Sequence, residues 1–376
     1  MRKSLGLLSL CILSAAIASY VTWIQIRPNE HYLPDLRSQL VLNQGQPGDK
    51  GNLLGIQPEL FAADYQSPER LRLKFAAYLN KARTEGLLNS KTIVVLPEHT
   101  GTWLVASGET PEVYQAASVS DAMLWLAAGN PLQLAYALLN AQGQDRLADA
   151  LFRMKAEQMA HDYQAIFGSL AKEYGVTLVA GSIVLPAPMV KNGVLQVSDG
   201  PLYNVSQVFA SDGTALGQPQ RKVVPIIDEQ GFTAASPASA LKVVDTPAGR
   251  LGVLICADSW FPDNYAALAG QHVDLLAVPA FLTGNGNWSK PWGGYNGAAT
   301  PTDVDIKPGE LTEGQAWQRM AMAGRINQGG AQAGITVFMR GQLWDLGSDG
   351  QSLVASRGQH ALAAEGHGAR LINLWL

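Results

Sequence analysis

Short apolar, β-branched runs separated by helical patterns constrain the fold of this 376-residue chain more than any other feature. Residues 52–57 (NLLGIQ) and 92–96 (TIVVL) predict buried strands, and residues 67–82 between them have the apolar spacing of a helix. Further strands are predicted at 203–209, 251–255 and 273–278, and further helices at 120–127, 131–140, 147–174 and 315–328. This order predicts an α/β domain.

Three polar residues follow apolar runs of this domain. Glu98 follows IVVLP, Cys256 follows LGVLI, and Lys222 ends a hairpin arm and precedes VVP. Taken singly, they are compatible with a surface acid or helix cap, a core thiol and a solvated charge. Taken together, they supply a carboxylate base, a nucleophile and a cation, and strand ends are where α/β folds mount such groups.

The N-terminus predicts a membrane signal. Arg2 and Lys3 precede residues 5–24, an uncharged run of 20 residues. This is about the length that spans a bilayer as a helix. We interpret residues 1–26 as an anchor in the inner membrane with the following domain in the periplasm. The alternative is a signal peptide cleaved after Ala18, which would leave a soluble periplasmic protein. Residues 27–50, rich in Pro and Gly, predict a linker.

The composition narrows the function classes. A net charge of -4 gives no basic footprint for nucleic acid. Of the two cysteines, Cys11 lies in the apolar N-terminal run, so Cys256 is the only thiol of the predicted domain. Two cysteines in these places provide neither an intradomain disulfide nor a zinc site, and we expect no metal or organic cofactor.

Several segments resemble the nitrilase, or carbon–nitrogen hydrolase, superfamily over roughly residues 51–360. The similar segments are VVLPE (94–98), VAGSI (179–183), YNVSQVFASDGTALGQPQRK (203–222), TPAGRLGVLICADSWFP (246–262) and VDLLAVPA (273–280). The resemblance implies a four-layer α-β-β-α sandwich for residues 51–376. The stretch after Glu98 is longer than is usual in the family, which predicts a helical insertion at about 101–170.

The resemblance also implies roles for individual residues. Glu98, Lys222 and Cys256 match the family's catalytic triad, and Glu229 is the best match to an additional glutamate. The backbone N–H of Ala257 is expected to stabilise an oxyanion. Trp260 and Phe261 are expected to line the substrate pocket. By contrast, Asp258 is expected to fix the loop through hydrogen bonds.

These features predict an enzyme that hydrolyses the carbon–nitrogen bond of a small-molecule or peptide-like amide through a thioester on Cys256. One alternative keeps the triad and transfers the acyl group to an amine. A second is a non-catalytic, membrane-tethered binding module. The resemblance further suggests a homodimer.

Overall fold

The computed structural model describes residues 2–28 and 32–376; Met1, at the start of the predicted anchor, and residues 29–31, in the predicted linker, lie outside the described residues. The helices are α1 Arg2–Trp23, α2 Pro68–Thr84, α3 Pro111–Gln115, α4 Val119–Gly129, α5 Pro131–Asn140, α6 Arg146–Tyr174, α7 Ile227–Gln230, α8 Pro262–Ala269, α9 Glu313–Met320 and α10 Met322–Arg325. Short 3-10 helices lie at Ala62–Tyr65, Thr102–Ala106, Ala238–Ala240, Cys256–Trp260, Asn287–Ser289 and Ile326–Gly329.

The strands form two large sheets and two small ones. In chain order they are β1 Ser38–Gln44, β2 Asn52–Gln57, β3 Glu59–Phe61, β4 Thr92–Val95, β5 Thr177–Val179, β6 Ile183–Pro186, β7 Met189–Lys191, β8 Val194–Gln196, β9 Leu202–Phe209, β10 Ala215–Arg221, β11 Val243–Thr246, β12 Gly249–Val253, β13 Leu275–Ala280, β14 Ala333–Phe338, β15 Arg340–Leu343, β16 Leu346–Ser348, β17 Leu353–Ser356, β18 Gln359–Leu362 and β19 Ala369–Trp375.

The first large sheet has the order β1-β19-β2-β4-β5-β9-β10, with β6 paired to β9. The second has the order β11-β12-β13-β14-β17-β18. Small sheets form from β16-β15-β3 and from β7-β8. Strands β2, β4 and β5 run parallel, as do β12, β13 and β14, so residues at their carboxyl ends lie along one edge of each sheet.

Three apolar layers hold the sandwich together. Side chains such as Val95, Val253 and Ile335 pack between the two sheets. Helices α2 and α6 cover the outer face of the first sheet through residues that include Phe75 and Phe167. On the far side, α8 and α10 cover the second sheet. The fold is therefore the four-layer α-β-β-α arrangement expected from the sequence.

Two local expectations need correction. The predicted linker contains a strand, β1, that pairs in parallel with β19 at the far end of the chain. Leu40 packs against the core beneath α2 and α6, and Leu42 packs against the core between the two large sheets. The nearby Pro and Gly residues concealed this pattern. The helix predicted at 315–328 is broken at Ala321, whose extended backbone separates α9 from α10.

The helices between β4 and β5 occupy the region predicted as an insertion. Helices α3, α4 and α5 precede the long helix α6, which begins with an Asp145 cap on the N–H of Ala148 and ends at left-handed Gly175. Such a cap and a glycine at the C-terminal end are typical helix boundaries. The division of the chain into anchor, linker and catalytic domain stays a prediction.

Candidate active site

Glu98 follows the carboxyl end of β4 and is held there by close backbone packing. Gly181 has a left-handed φ of 70°, and a Cβ at this position would lie 2.1 Å from the Pro97 carbonyl oxygen. The next residue, Ser182, accepts a hydrogen bond from the backbone N–H of His99 at 2.8 Å. The VAGSI segment therefore positions the loop that carries Glu98, because only glycine fits against Pro97.

Lys222 follows β10, and its side chain lies buried between two carboxylates. Its Nζ donates to Glu98 Oε1 at 2.8 Å and to Glu229 Oε2 at 2.5 Å. Asn204 of β9 donates from Nδ2 to Glu98 Oε1 at 3.0 Å and to Glu229 Oε1 at 2.8 Å. One ammonium and one amide thus join the two acids into a single buried network.

Charge pairing sets the protonation of this network. Burial alone would lower the pKa of Lys222, but Glu229 and Glu98 outweigh it and raise that pKa well above its ordinary value. Burial would raise the pKa of Glu229, yet Lys222 and then His99 outweigh it and lower that pKa. Lys222 is therefore a cation and Glu229 a carboxylate at neutral pH.

Cys256 begins a turn immediately after β12. Its φ of 49° is left-handed, which is uncommon for a residue with a side chain and marks local strain. Asp258 stabilises the turn by accepting from the backbone N–H groups of Ile255, Val223 and Val224 at 3.1, 2.9 and 2.8 Å. These bonds tie the loop after Lys222 to the loop of the thiol, which is the fixing role expected for Asp258.

Electrostatics keep the Cys256 sulfur protonated at rest. Burial raises the pKa of the thiol well above its ordinary value, and the charge of Glu98 and a side-chain hydrogen bond with it raise the pKa further. The charge of Lys222 opposes this rise. The thiol itself donates to the Phe281 carbonyl oxygen at 3.5 Å. Burial also raises the pKa of Asp258 to about 7, against the opposing effect of Lys222.

A cavity of about 530 Å³ opens onto Cys256. Ala257, Trp260 and Phe261 line it, together with residues from α7 and from the long loop before α9. The Trp260 ring stacks on Trp292 with centroids 6.1 Å apart and meets Tyr295 edge-on at 5.7 Å. The structure thus places Ala257, Trp260 and Phe261 at the cavity, while Glu98, Lys222 and Glu229 lie buried outside its lining.

Sequence reasoning missed two members of the cluster. Asn204 lies within the YNVSQVF strand, where the structure buries its amide completely. The sequence carries no signal of this burial. His99, with a left-handed φ of 61°, has its Nε2 3.6 Å from Glu229 Oε1. Donor atoms of Glu98, His99 and Glu229 lie within 4.8 Å of one another, a spacing compatible with a metal ion, but the Lys222 ammonium already bridges both carboxylates.

Comparisons with known proteins agree with this picture. The carbon-nitrogen hydrolase family model matches residues 147–299, a segment that includes Lys222, Glu229 and Cys256 but not Glu98. An omega-amidase from Xenopus laevis is 30% identical over 142 residues, covering 35% of this chain and 48% of that protein. A deaminated glutathione amidase from Yersinia enterocolitica is 32% identical over 129 residues, covering 32% of this chain and 42% of that protein. The chain thus aligns with less than half the length of either relative.

Solved structures extend the likeness to the whole fold. An amidase from Nesterenkonia sp. superimposes with a TM-score of 0.52 at 15% identity, covering 88% of this chain and 92% of the other. A carbon-nitrogen hydrolase from Helicobacter pylori G27 gives a TM-score of 0.53 at 17% identity, covering 86% and 88%. Residues 147–299 thus match the carbon-nitrogen hydrolase family, and the chain as a whole has the fold of these solved hydrolases.

Proposed function

We propose that this protein hydrolyses the carbon–nitrogen bond of an amide through a thioester on Cys256. The observation that carries the proposal is the buried network of Glu98, Lys222 and Glu229 beside a thiol that faces a cavity. Buried charges of this kind are costly to maintain, and such groups cluster at functional sites. Amidases among the relatives support the same class of reaction.

In the first half-reaction, Cys256 attacks the amide carbon while Glu98 takes the thiol proton. The raised pKa of the thiol makes a base necessary, because little thiolate forms unaided. Glu98 then gives this proton to the departing nitrogen, so the carbon–nitrogen bond breaks as an amine or ammonia leaves. The acyl group remains on sulfur as a thioester. Water, deprotonated by Glu98, next attacks the thioester and releases the acid, and the proton returns to sulfur.

Lys222 stabilises the oxyanion of both steps. An ammonium has three donor hydrogens, and the two carboxylates take two of them. The third is available to a developing negative charge, and the backbone N–H of Ala257, next to the nucleophile, is the second donor. Glu229 and Asn204 act as positioning residues, since both reach Glu98 or Lys222 by hydrogen bonds.

The cavity favours an amide with an apolar or aromatic part. Its walls carry Trp260, Phe261, Trp292 and Tyr295, which offer flat apolar surfaces to a small molecule or a short peptide-like chain. A volume of about 530 Å³ lies within the usual range for small-ligand pockets.

We further propose that α1 anchors the protein with its enzymatic domain outside the cytoplasm. Residues Gly6–Trp23 are long and apolar enough to cross a membrane, and none of this stretch is buried in the protein. Tyr20 donates from its hydroxyl to the Ala128 carbonyl at 2.8 Å, and Trp23 donates to Glu112 Oε1 at 3.0 Å. These contacts fix the end of α1 against α3 and α4. Both residues follow Ala18, so the uncleaved anchor rests on the length and exposure of the apolar stretch.

The test compares the full-length protein in detergent with three variants, Cys256→Ala, Glu98→Gln and Cys11→Ala, on a panel of primary amides and N-acyl amines. Cys256→Ala and Glu98→Gln are expected to lose turnover, and Cys11→Ala serves as the matched thiol control. Fluoroacetamide is a suitable probe, since its acetamide moiety attaches to the active-site cysteine of the Nesterenkonia amidase. Turnover that survives Cys256→Ala would refute the mechanism. Absence of turnover and of any adduct on Cys256 would favour the binding module.

Acyl transfer to an amine is the second candidate, favoured by the apolar helix α1. The two reactions share the thioester and differ in what removes it. Adding a primary amine during turnover separates them. A hydrolase releases the free acid at an unchanged rate, whereas a transferase forms a new amide at the expense of the acid. A homodimer stays a prediction that light scattering in detergent can test.

A further inference from the structure

The helical region between β4 and β5 exposes an unusual amount of apolar surface. Beyond residue 36 of the described chain, most of the exposed large hydrophobic side chains lie between residues 124 and 147. On α5, Leu132, Tyr136 and Leu139 are 85%, 72% and 81% exposed. Their spacing of four and three residues places them on one side of the helix. We call these three residues, with Leu124 and Trp125 of α4, the apolar stripe.

The sequence through the stripe lacks charge. Residues 122–144 contain no Asp, Glu, Lys or Arg. A surface helix of a soluble domain normally places charged residues on its outer face, whereas here the outer face is the apolar one. Contiguous exposed apolar surface of this kind marks an interaction site.

Polar backbone groups near the stripe are satisfied within the protein. At the bend between α4 and α5, the Asn130 side chain donates to the Leu126 carbonyl at 2.9 Å and to Glu109 Oε2 at 3.0 Å. After α5, the Arg146 guanidinium donates to the carbonyls of Leu138 and Ala141. Such pairing is what a hydrocarbon environment requires, because no water is available there to bond these groups.

The stripe is continuous with the apolar helix α1. The ring of Trp23 lies 5.9 Å from that of Trp125, and Tyr20 bonds to Ala128 at the end of α4. Tyr and Trp at the end of a spanning helix lie at the level of the lipid headgroups. The contacts of Tyr20 and Trp23 therefore set α4 at that same level.

We propose that α4 and α5 insert into the lipid bilayer as an in-plane hairpin, with the apolar stripe facing the acyl chains. The two helices meet at an angle of 105°, so together they cannot form one straight span, and they lie within a single leaflet. The proposal rests on the proposed anchoring by α1. Its consequence is a second membrane attachment that fixes the orientation of the enzymatic domain on the membrane.

The experiment attaches an environment-sensitive fluorophore to single cysteines in the full-length protein, reconstituted in phosphatidylcholine–phosphatidylglycerol vesicles. Leu132→Cys and Leu139→Cys report on the stripe, and Val194→Cys, exposed on β8 outside the stripe, is the matched control. These variants are made in a Cys11→Ser, Cys256→Ser background. The native Cys11, kept in a Cys256→Ser variant, reports on α1.

We expect probes at 132, 139 and 11 to shift to blue emission and to be quenched by doxyl-labelled lipid, and the probe at 194 to be quenched by aqueous iodide only. Quenching at 11 without quenching at 132 and 139 would overturn the hairpin and leave the anchor intact. If doxyl-labelled lipid does not quench the probe on Cys11, α1 is not inserted, and the anchor on which the hairpin rests is refuted. Stripe probes shielded from both quenchers would indicate a second protein copy as the occupant and would also overturn the proposal. Circular dichroism of each variant verifies folding.

Discussion

Replacing Lys222 by Met tests the central network most directly. The change removes two charge-assisted hydrogen bonds, at 2.8 and 2.5 Å, and leaves Glu98 and Glu229 buried without their cation. At about 1.5–3 kcal/mol for each bond to a charged group, the loss is roughly 3–6 kcal/mol. Breaking one side of a buried ion pair costs a similar amount, about 3–5 kcal/mol. At about 2 °C for each kcal/mol, the melting temperature should fall by roughly 6–10 °C.

The pH dependence follows from the direction of each shift. The lowered pKa of Glu229 contributes stability that is present above its ordinary value of 4.5 and is lost as pH falls through the folded-state value. The raised pKa of Lys222 contributes stability that is present below its ordinary value of 10.5 and is lost as pH rises through the folded-state value. Both contributions are complete at pH 7. The stability difference between the unsubstituted protein and Lys222→Met should become smaller toward about pH 5, because an unpaired buried carboxyl takes up a proton there.

Thermal unfolding of the full-length protein in detergent measures this effect, and Lys74→Met is the matched control. Lys74 is equally buried and bonds to Asp64 at 2.6 Å, away from the thiol. Both variants should lose stability, but only Lys222→Met should also reduce kcat, by about 10²–10³-fold, through loss of an oxyanion donor. Adding Glu229→Gln to Lys222→Met should restore part of the stability. Unchanged stability of Lys222→Met, or further loss in the double variant, would refute the network.

Three further expectations concern the supports of the site. Asp258→Asn should destabilise the protein by about 1–3 kcal/mol, because it turns an amide N–H₂ toward backbone N–H donors. The same change should lower kcat. An unchanged melting temperature would contradict this expectation. Gly181→Ala should displace Pro97 and reduce kcat more than it changes KM, whereas full activity would show that the loop tolerates a Cβ there. Trp260→Ala should cost about 3–5 kcal/mol and raise KM, and calorimetry with amide kinetics separates the two effects.

The sequence predicted many of the strands and helices because each apolar run has a local signature. The fold came from a resemblance whose segments include the strands beneath Glu98, Lys222 and Cys256. Because the carboxyl ends of parallel strands lie along one edge of a sheet, residues that follow these strands can meet although they are far apart in the sequence. Asn204 escaped prediction because its role depends on which neighbour its side chain faces, and alternation along a strand does not reveal hydrogen-bond partners.

The features that the sequence did not predict depend on contacts beyond the local segment. Strand β1 lacks a strong pattern of its own and forms through β19, far along the chain, so no local rule could identify it. Helix propensity did not predict the break at Ala321, because the residues from 317 to 323 are ordinary helix formers. Left-handed backbone at Cys256 is likewise imposed by surrounding contacts, since cysteine does not favour that conformation.

The position of β19 has a consequence for biogenesis. This strand lies between β1 and β2, so it separates the two earliest strands of the first sheet. During synthesis, β1 and β2 emerge long before the strand that joins them, and the edges that will pair with β19 stay unpaired until then. Exposed edges of this kind pair readily with other chains. We therefore expect folding to finish in one late step, when residues 369–375 insert, and a stop codon before residue 369 to yield an aggregating product that retains most of its helices.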